Sequence, residues 1–161
     1  MKATRTTYLK MAAMLGLSGL AATAAMAHHS FAMYDLQVTR VFTGVVTRID
    51  PMPNHMSILF APMNAERKNV ERDAAGEPVV WSVEMQGSSQ MARQGVTVSA
   101  YPPGTIISVA LHPVRAGDLG GVRVGGMFRC PDRTPPAPGM HCDSVEGHTA
   151  IGNEPLPQPV P

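Results

Sequence analysis

The sequence contains none of the short signatures that mark common catalytic chemistry. It has no G-x-S-x-G, no phosphate-binding glycine loop and no H-E-x-x-H. Those absences leave no hydrolase elbow, P-loop or zincin helix to build on. Its two cysteines form neither a C-x-x-C pair nor a C-x-x-C-H haem site. The formal net charge is only +1 in 161 residues, so nothing points to nucleic-acid binding. A single apolar run, residues 11–26, is uncharged. It is shorter than the roughly 20 residues of a bilayer span, and no second run follows it.

That run reads instead as part of an export signal. Lys2, Arg5 and Lys10 precede it without any acid, and it ends on Ala25-Met26-Ala27. A basic head, a short apolar stretch and small residues at −3 and −1 are the parts of a cleavable secretory signal. Residues 1–27 are therefore expected to be removed, and the mature chain is expected to start at His28 in the periplasm or outside the cell. No cysteine directly follows the run, which argues against a lipid-anchored exit, and no Arg-Arg pair precedes it. The signal takes three of the thirteen basic residues, leaving ten against twelve acidic ones.

Residues 28–130 have the pattern of one small β-rich domain. Strands are expected at Val38 to Asp50, His55 to Ala61, Val79 to Gln86, Thr105 to Leu111 and Val122 to Phe128. In the first, Val41, Thr43, Val45, Thr47 and Ile49 would share a face. Met56, Ile58 and Phe60 alternate in the second, and Trp81, Val83 and Met85 in the third. Residues 62–78 are polar and read as a long exposed hairpin connection. The stretch 87–95 suits a two-turn helix, with a serine at its start and Gly95 at its left-handed stop. Three strands, a short helix and two strands match a five-stranded, partly open barrel of the OB type. A small open sheet with one covering helix is the alternative.

Seven of the last thirty residues are proline, so the core is expected to end near residue 130, followed by a partly disordered tail, 131–161. Cys130 and Cys142 lie at its start. An even cysteine count in an exported chain favours a disulfide. A thiolate metal site with His141 is the weaker alternative.

The placement of the histidines carries the chemical interest. Cleavage after Ala27 would free the amine of His28. A terminal amine has a pKa near 7.7–8.0, low enough to yield its proton to a metal. The amine and Nδ1 of His28 can chelate one ion, and a third imidazole would complete a T-shaped, three-nitrogen histidine brace suited to Cu(II). His29 offers a different chelate through the amine, a backbone nitrogen and its own ring. The alternative is a frayed terminus that binds nothing.

In a hairpin of the second and third strands, His55 falls near Glu84, off the apolar faces. The strand spans about 20 Å at roughly 3.3 Å per residue, and the ten-residue arm from His28 reaches about 33 Å. His55 is thus the expected third ligand, with Glu84 orienting it or ligating weakly. His112 is expected at the opposite end of the barrel, and His141 and His148 in solvent on the tail. Of eight methionines after the signal, Met56, Met85 and Met127 fall at core positions. Met33, Met52 and Met63 remain as soft thioether candidates for Cu(I). Trp81 reads as core.

The start His28-His29-Ser30-Phe31-Ala32 after a signal resembles a family of small exported bacterial proteins classed as a domain of unknown function. Gly44-Val45-Val46, Asn54-His55, Trp81 with Glu84, Met91-Ala92-Arg93-Gln94-Gly95, Pro103-Gly104 and His112-Pro113 continue the resemblance over residues 28 to 125. The family's Asn-Pro-His appears here as Pro53-Asn54-His55, and the 62–78 insert and the Cys130–Cys142 tail look like additions. The resemblance implies export and the fold, and no agreed activity.

Two expectations from different classes follow. The first is a soluble periplasmic binding or accessory protein with a copper site at His28, His29, His55 and Glu84. The second is a metal-free OB-like module that docks another exported protein or a small ligand. A copper oxidase ranks below both, because no substrate cleft can be read from the residues.

Overall fold

Strand formation follows the alternation in the sequence. In the computed structural model, which describes residues 31–157, β1 is Arg40–Pro51, β2 Met56–Pro62 and β3 Trp81–Glu84. A short helix, α1 (Ser88–Arg93), follows. Then come β4 (Ile106–Pro113), β5 (Gly120–Arg129) and a three-residue strand β6 (Thr149–Ile151). The expected signal, its cleavage site, His28 and His29 lie outside the described residues. Residues 34–157 belong to one compact unit.

The sheet runs β3-β2-β1-β4-β5-β6, and β3 also pairs with β5. That extra pairing is parallel, joining Ser82, Val83 and Glu84 to Gly120, Gly121 and Val122. It closes the first five strands into a barrel with the connectivity expected of the OB type. The barrel is closed where a partly open one was expected, and β6 adds an outer strand along β5. Closure leaves β3 no free edge within the ring.

Met56, Ile58, Phe60, Trp81, Val83 and Met85 point inward as their alternation requires, joined by Ile107, Val109 and Leu111 of β4. The first strand departs from its expected face. Val46 pairs with Phe60 and Arg48 with Leu59, so Thr47 is an extra residue. This bulge flips the alternation. Before it Phe42 and Val46 face the core, while Val41 and Val45 face the outside; after it Ile49 turns in. Gly44 sits where an added Cβ would lie 2.5 Å from Phe60 Cδ2 and 2.8 Å from Ala61 O, so the crossing of β1 and β2 admits no side chain there.

The buried core continues past residue 130. Met63, Ile106, Ala110, Phe128, Cys130, Cys142 and Leu156 form a second cluster on the outside of the barrel. Cys130 and Cys142 are joined by a disulfide. The segment it anchors buries the outer face of β4, which is why that strand is buried on both sides. Gly125 (φ +68°) and Gly126 break the β4–β5 register. A Cβ on Gly126 would run into the Glu154 carbonyl, so the glycine lets the tail approach the strand. Proline richness did not prevent burial: the disulfide offsets about 3 kcal/mol of the ordering cost, and Cys142, Ile151 and Leu156 bury apolar surface against the barrel.

The expected helix forms, and Gly95 takes the left-handed conformation at its end (φ +84°). No serine caps its start; the N-cap is Gly87. Ser88 instead donates its hydroxyl to Met52 O at 2.6 Å. The 62–78 insert is a hairpin-like excursion with bridges Met63–Val70 and Arg72–Pro78.

Candidate functional site

The β2–β3 hairpin brings His55 and Glu84 together. Ser57 pairs with Glu84, and Met56 N donates to Gln86 O while Met85 N donates to Met56 O. His55 therefore lies one step before the last rung. The loop leading to it is held from the other side, where Ser88 N and its hydroxyl both donate to Met52 O. His55 Nδ1 stands 3.0 Å from Glu84 Oε1. A carboxylate only accepts, so Nδ1 carries the proton and Nε2 of a neutral ring keeps its lone pair. The His55 side chain is 58% exposed and that of Glu84 33%.

The other Glu84 oxygen is also engaged. The Tyr34 hydroxyl donates to Oε2 at 2.9 Å. Tyr34 is buried and bridges Val114, and Asp35 N donates to Pro113 O. The arm is thus fastened along the end of β4 while its ring reaches across to β3. Burial, then the hydrogen bond and charge of Glu84, push the Tyr34 phenol up to about 12. Tyr34 carries no alternating pattern that marks it from sequence; its position six residues after His28 is the one available signal.

His112 is not at the opposite end of the barrel. Val122 pairs with Glu84 on one side and His112 on the other, so both lie on the outer face with one strand between them. The expectation failed because the strands of a closed barrel are staggered. His112 Nδ1 lies 2.8 Å from Val38 O, another tie between arm and barrel. His141 is half-buried rather than exposed, with Nδ1 2.8 Å from Thr43 Oγ1. Met63 is buried and Met52 exposed. Trp81 lies in the core against Phe42, ring centroids 4.7 Å apart, with Arg40 over its face.

Over half of the chain, residues 17–123, matches the model of DUF6152, a family of unknown function. The chain belongs to the DUF6152 family. The match ends within β5, so in this DUF6152 member the disulfide-anchored segment lies beyond the matched span. No curated protein and no solved structure matches the chain.

Among the described residues, no three His, Cys, Asp or Glu side chains are grouped so as to hold a metal ion. His55 and Glu84 alone give one imidazole nitrogen and a carboxylate whose two oxygens are already in use. No described helix is long and apolar enough to cross a membrane. The disulfide fits an oxidising compartment.

Proposed function

We propose that this DUF6152 member is an exported accessory protein that binds one copper ion through the amine and Nδ1 of His28 and Nε2 of His55. Glu84 is the positioning residue for His55, and His29 is the alternative chelating residue at the same terminus. One observation carries the reading: a single carboxylate holds His55 by one oxygen and Tyr34 by the other. An imidazole oriented through its far nitrogen by a carboxylate is the usual arrangement behind a metal-bound histidine. Tyr34 brings the arm to the same carboxylate, and the six residues from His28 to Tyr34 reach about 20 Å when extended. With both oxygens occupied, Glu84 orients rather than ligates.

The test begins with the protein expressed behind its own signal and its first residue fixed by intact mass. Cu(II) titration is expected to show one tight equivalent. An extra residue left ahead of His28 should abolish it, and His55→Ala should weaken it. Unchanged affinity with the extended terminus overturns the brace. Unchanged affinity in His55→Ala overturns the third ligand even if copper binds.

A further inference from the structure

Three buried polar groups connect the tail to the barrel wall. Thr43 of β1 and Ser108 of β4 are 1% and 0% exposed. Their hydroxyl oxygens are 2.7 Å apart. Cys142 N donates to Ser108 Oγ at 2.8 Å, and Thr43 Oγ1 lies 2.8 Å from His141 Nδ1. The amide can only donate, so Ser108 accepts from Cys142, and the order of the two hydroxyls turns on the state of the His141 ring. With the ring neutral and its hydrogen on Nε2, Ser108 donates to Thr43 and Thr43 donates to the lone pair of His141 Nδ1. Every hydrogen is used when the ring is neutral.

A proton on Nδ1 breaks this order. Thr43 must then accept from the ring and turn its hydrogen to Ser108. Ser108 would accept twice, and its own hydrogen would lose Thr43 as its acceptor. An orphaned donor in a dry site disfavours the state that contains it. The charged groups acting on the ring are Arg67 from the insert and Asp143 from its own segment; Thr43 of β1 and Ser108 of β4 contribute only hydroxyls. Arg67 also donates to Met140 O at 3.1 Å and takes a left-handed backbone, φ +57°. The insert and the tail therefore meet at the residue preceding His141.

We propose that His141 is a proton-operated latch, fastening the tail to the β1–β4 face when neutral and loosening the part beyond Cys142, residues 143–157, when protonated. The disulfide keeps the segment tethered, so the change is local. Burial, then Arg67, hold the ring below its usual 6.5 against the opposing pull of Asp143. A folded-state pKa below the free value means the docked form is favoured above pH 6.5 and loses that advantage as pH falls toward the docked pKa.

Hydrogen exchange at Ile151 and its neighbours in β6, corrected for intrinsic rate, tests this between pH 7.5 and 5.5. Opening should rise by up to about tenfold, the limit for one proton with a free pKa near 6.5. His141→Asn, which cannot take the proton, should flatten the response. Nuclear magnetic resonance titration of the unaltered protein should place the His141 midpoint below 6.5. Equal corrected exchange at both pH values, the same rise in His141→Asn, or a midpoint at or above 6.5 would each overturn the latch. None of these readouts depends on His28 or on copper.

Discussion

The Tyr34 hydroxyl donates to Glu84 across fifty residues of sequence, and this bond ties the N-terminal arm to the carboxylate that orients His55. Without it the arm would be held to this region by its backbone contacts at Pro113 and Val114, by His112 on Val38 O and by the Arg115–Asp35 ion pair. With it, the arm, β3 and the loop before β2 share one polar junction on the outer face of the barrel.

Replacing Glu84 by Gln tests the junction most directly. A carboxamide presents one acceptor oxygen where two donors now converge, and it removes the negative charge beside His55. Loss of a partner that orients a ligating histidine costs on the order of 10–100-fold in metal affinity. Cu(II) affinity is expected to fall by that amount while the single equivalent is kept. Because Glu84 is partly exposed, the thermal midpoint should move little. An unaltered copper affinity in a folded Glu84→Gln protein would refute the positioning role.

The Tyr34 phenol should resist ionisation. Its pKa of about 12 stands above the ordinary 10.0 because burial and Glu84 both disfavour the phenolate. The folded-state value is the higher one, so its stabilising contribution is intact below pH 10 and is lost as pH rises toward 12. Absorbance titration in the ultraviolet should show a phenol ionising near pH 12 that is missing in Tyr34→Phe. The same variant should loosen the arm, seen as faster exchange at Asp35 and Val38. A normal phenol titration for Tyr34 would contradict the hydrogen bond.

The parts of this molecule that were legible are those governed by local period. Met56, Ile58 and Phe60 and Trp81 and Val83 faced inward because a flat β alternation has only two phases. The His55–Glu84 contact followed from the same hairpin register. The phase of β1 was not legible, because nothing in the residue type of Thr47 marks it as a bulge. The tail misled for another reason. Its prolines argued against burial, whereas a covalent tie at Cys142 and the hydroxyls of Thr43 and Ser108 hold it in place. Those two hydroxyls were the available signal: polar side chains inside strands otherwise rich in Val and Ile.

Gly87→Ala is expected to disturb the site without unfolding the barrel. A Cβ at Gly87 would collide with the Pro53 carbonyl and lie 3.3 Å from Asn54 O. Both are backbone atoms, so the loop itself must move, and it leads straight into His55. Overpacking of this kind costs about 1–3 kcal/mol. The Ser88–Met52 bond, 2.6 Å in length, should be lost, and copper affinity should fall although no ligand has changed. The comparison is with Gly76→Ala, whose added Cβ meets nothing within 4 Å. That change sits at φ +83° and strains only its own exposed turn. If Gly87→Ala binds copper like the unaltered protein, the loop does not set the position of His55.

The disulfide should decide whether the tail stays on the barrel. Cys130 and Cys142 are 12 residues apart, and closing a loop of that size is worth about 3 kcal/mol. Both sulfurs are buried in the outer cluster with Ile106, Ala110 and Phe128. Replacing both cysteines by Ala keeps most of the apolar contact and removes the tether. Denaturant unfolding should then show a loss near that figure, and limited proteolysis should cut between residues 131 and 157 first, leaving the five-stranded barrel intact. The Ser108 hydroxyl would lose the fixed Cys142 amide as the tail departs, so His141 should titrate at its ordinary value in the double variant. Stability and tail protection equal to those of the oxidised protein would mean that the apolar cluster and the hydroxyl chain suffice without the covalent bond.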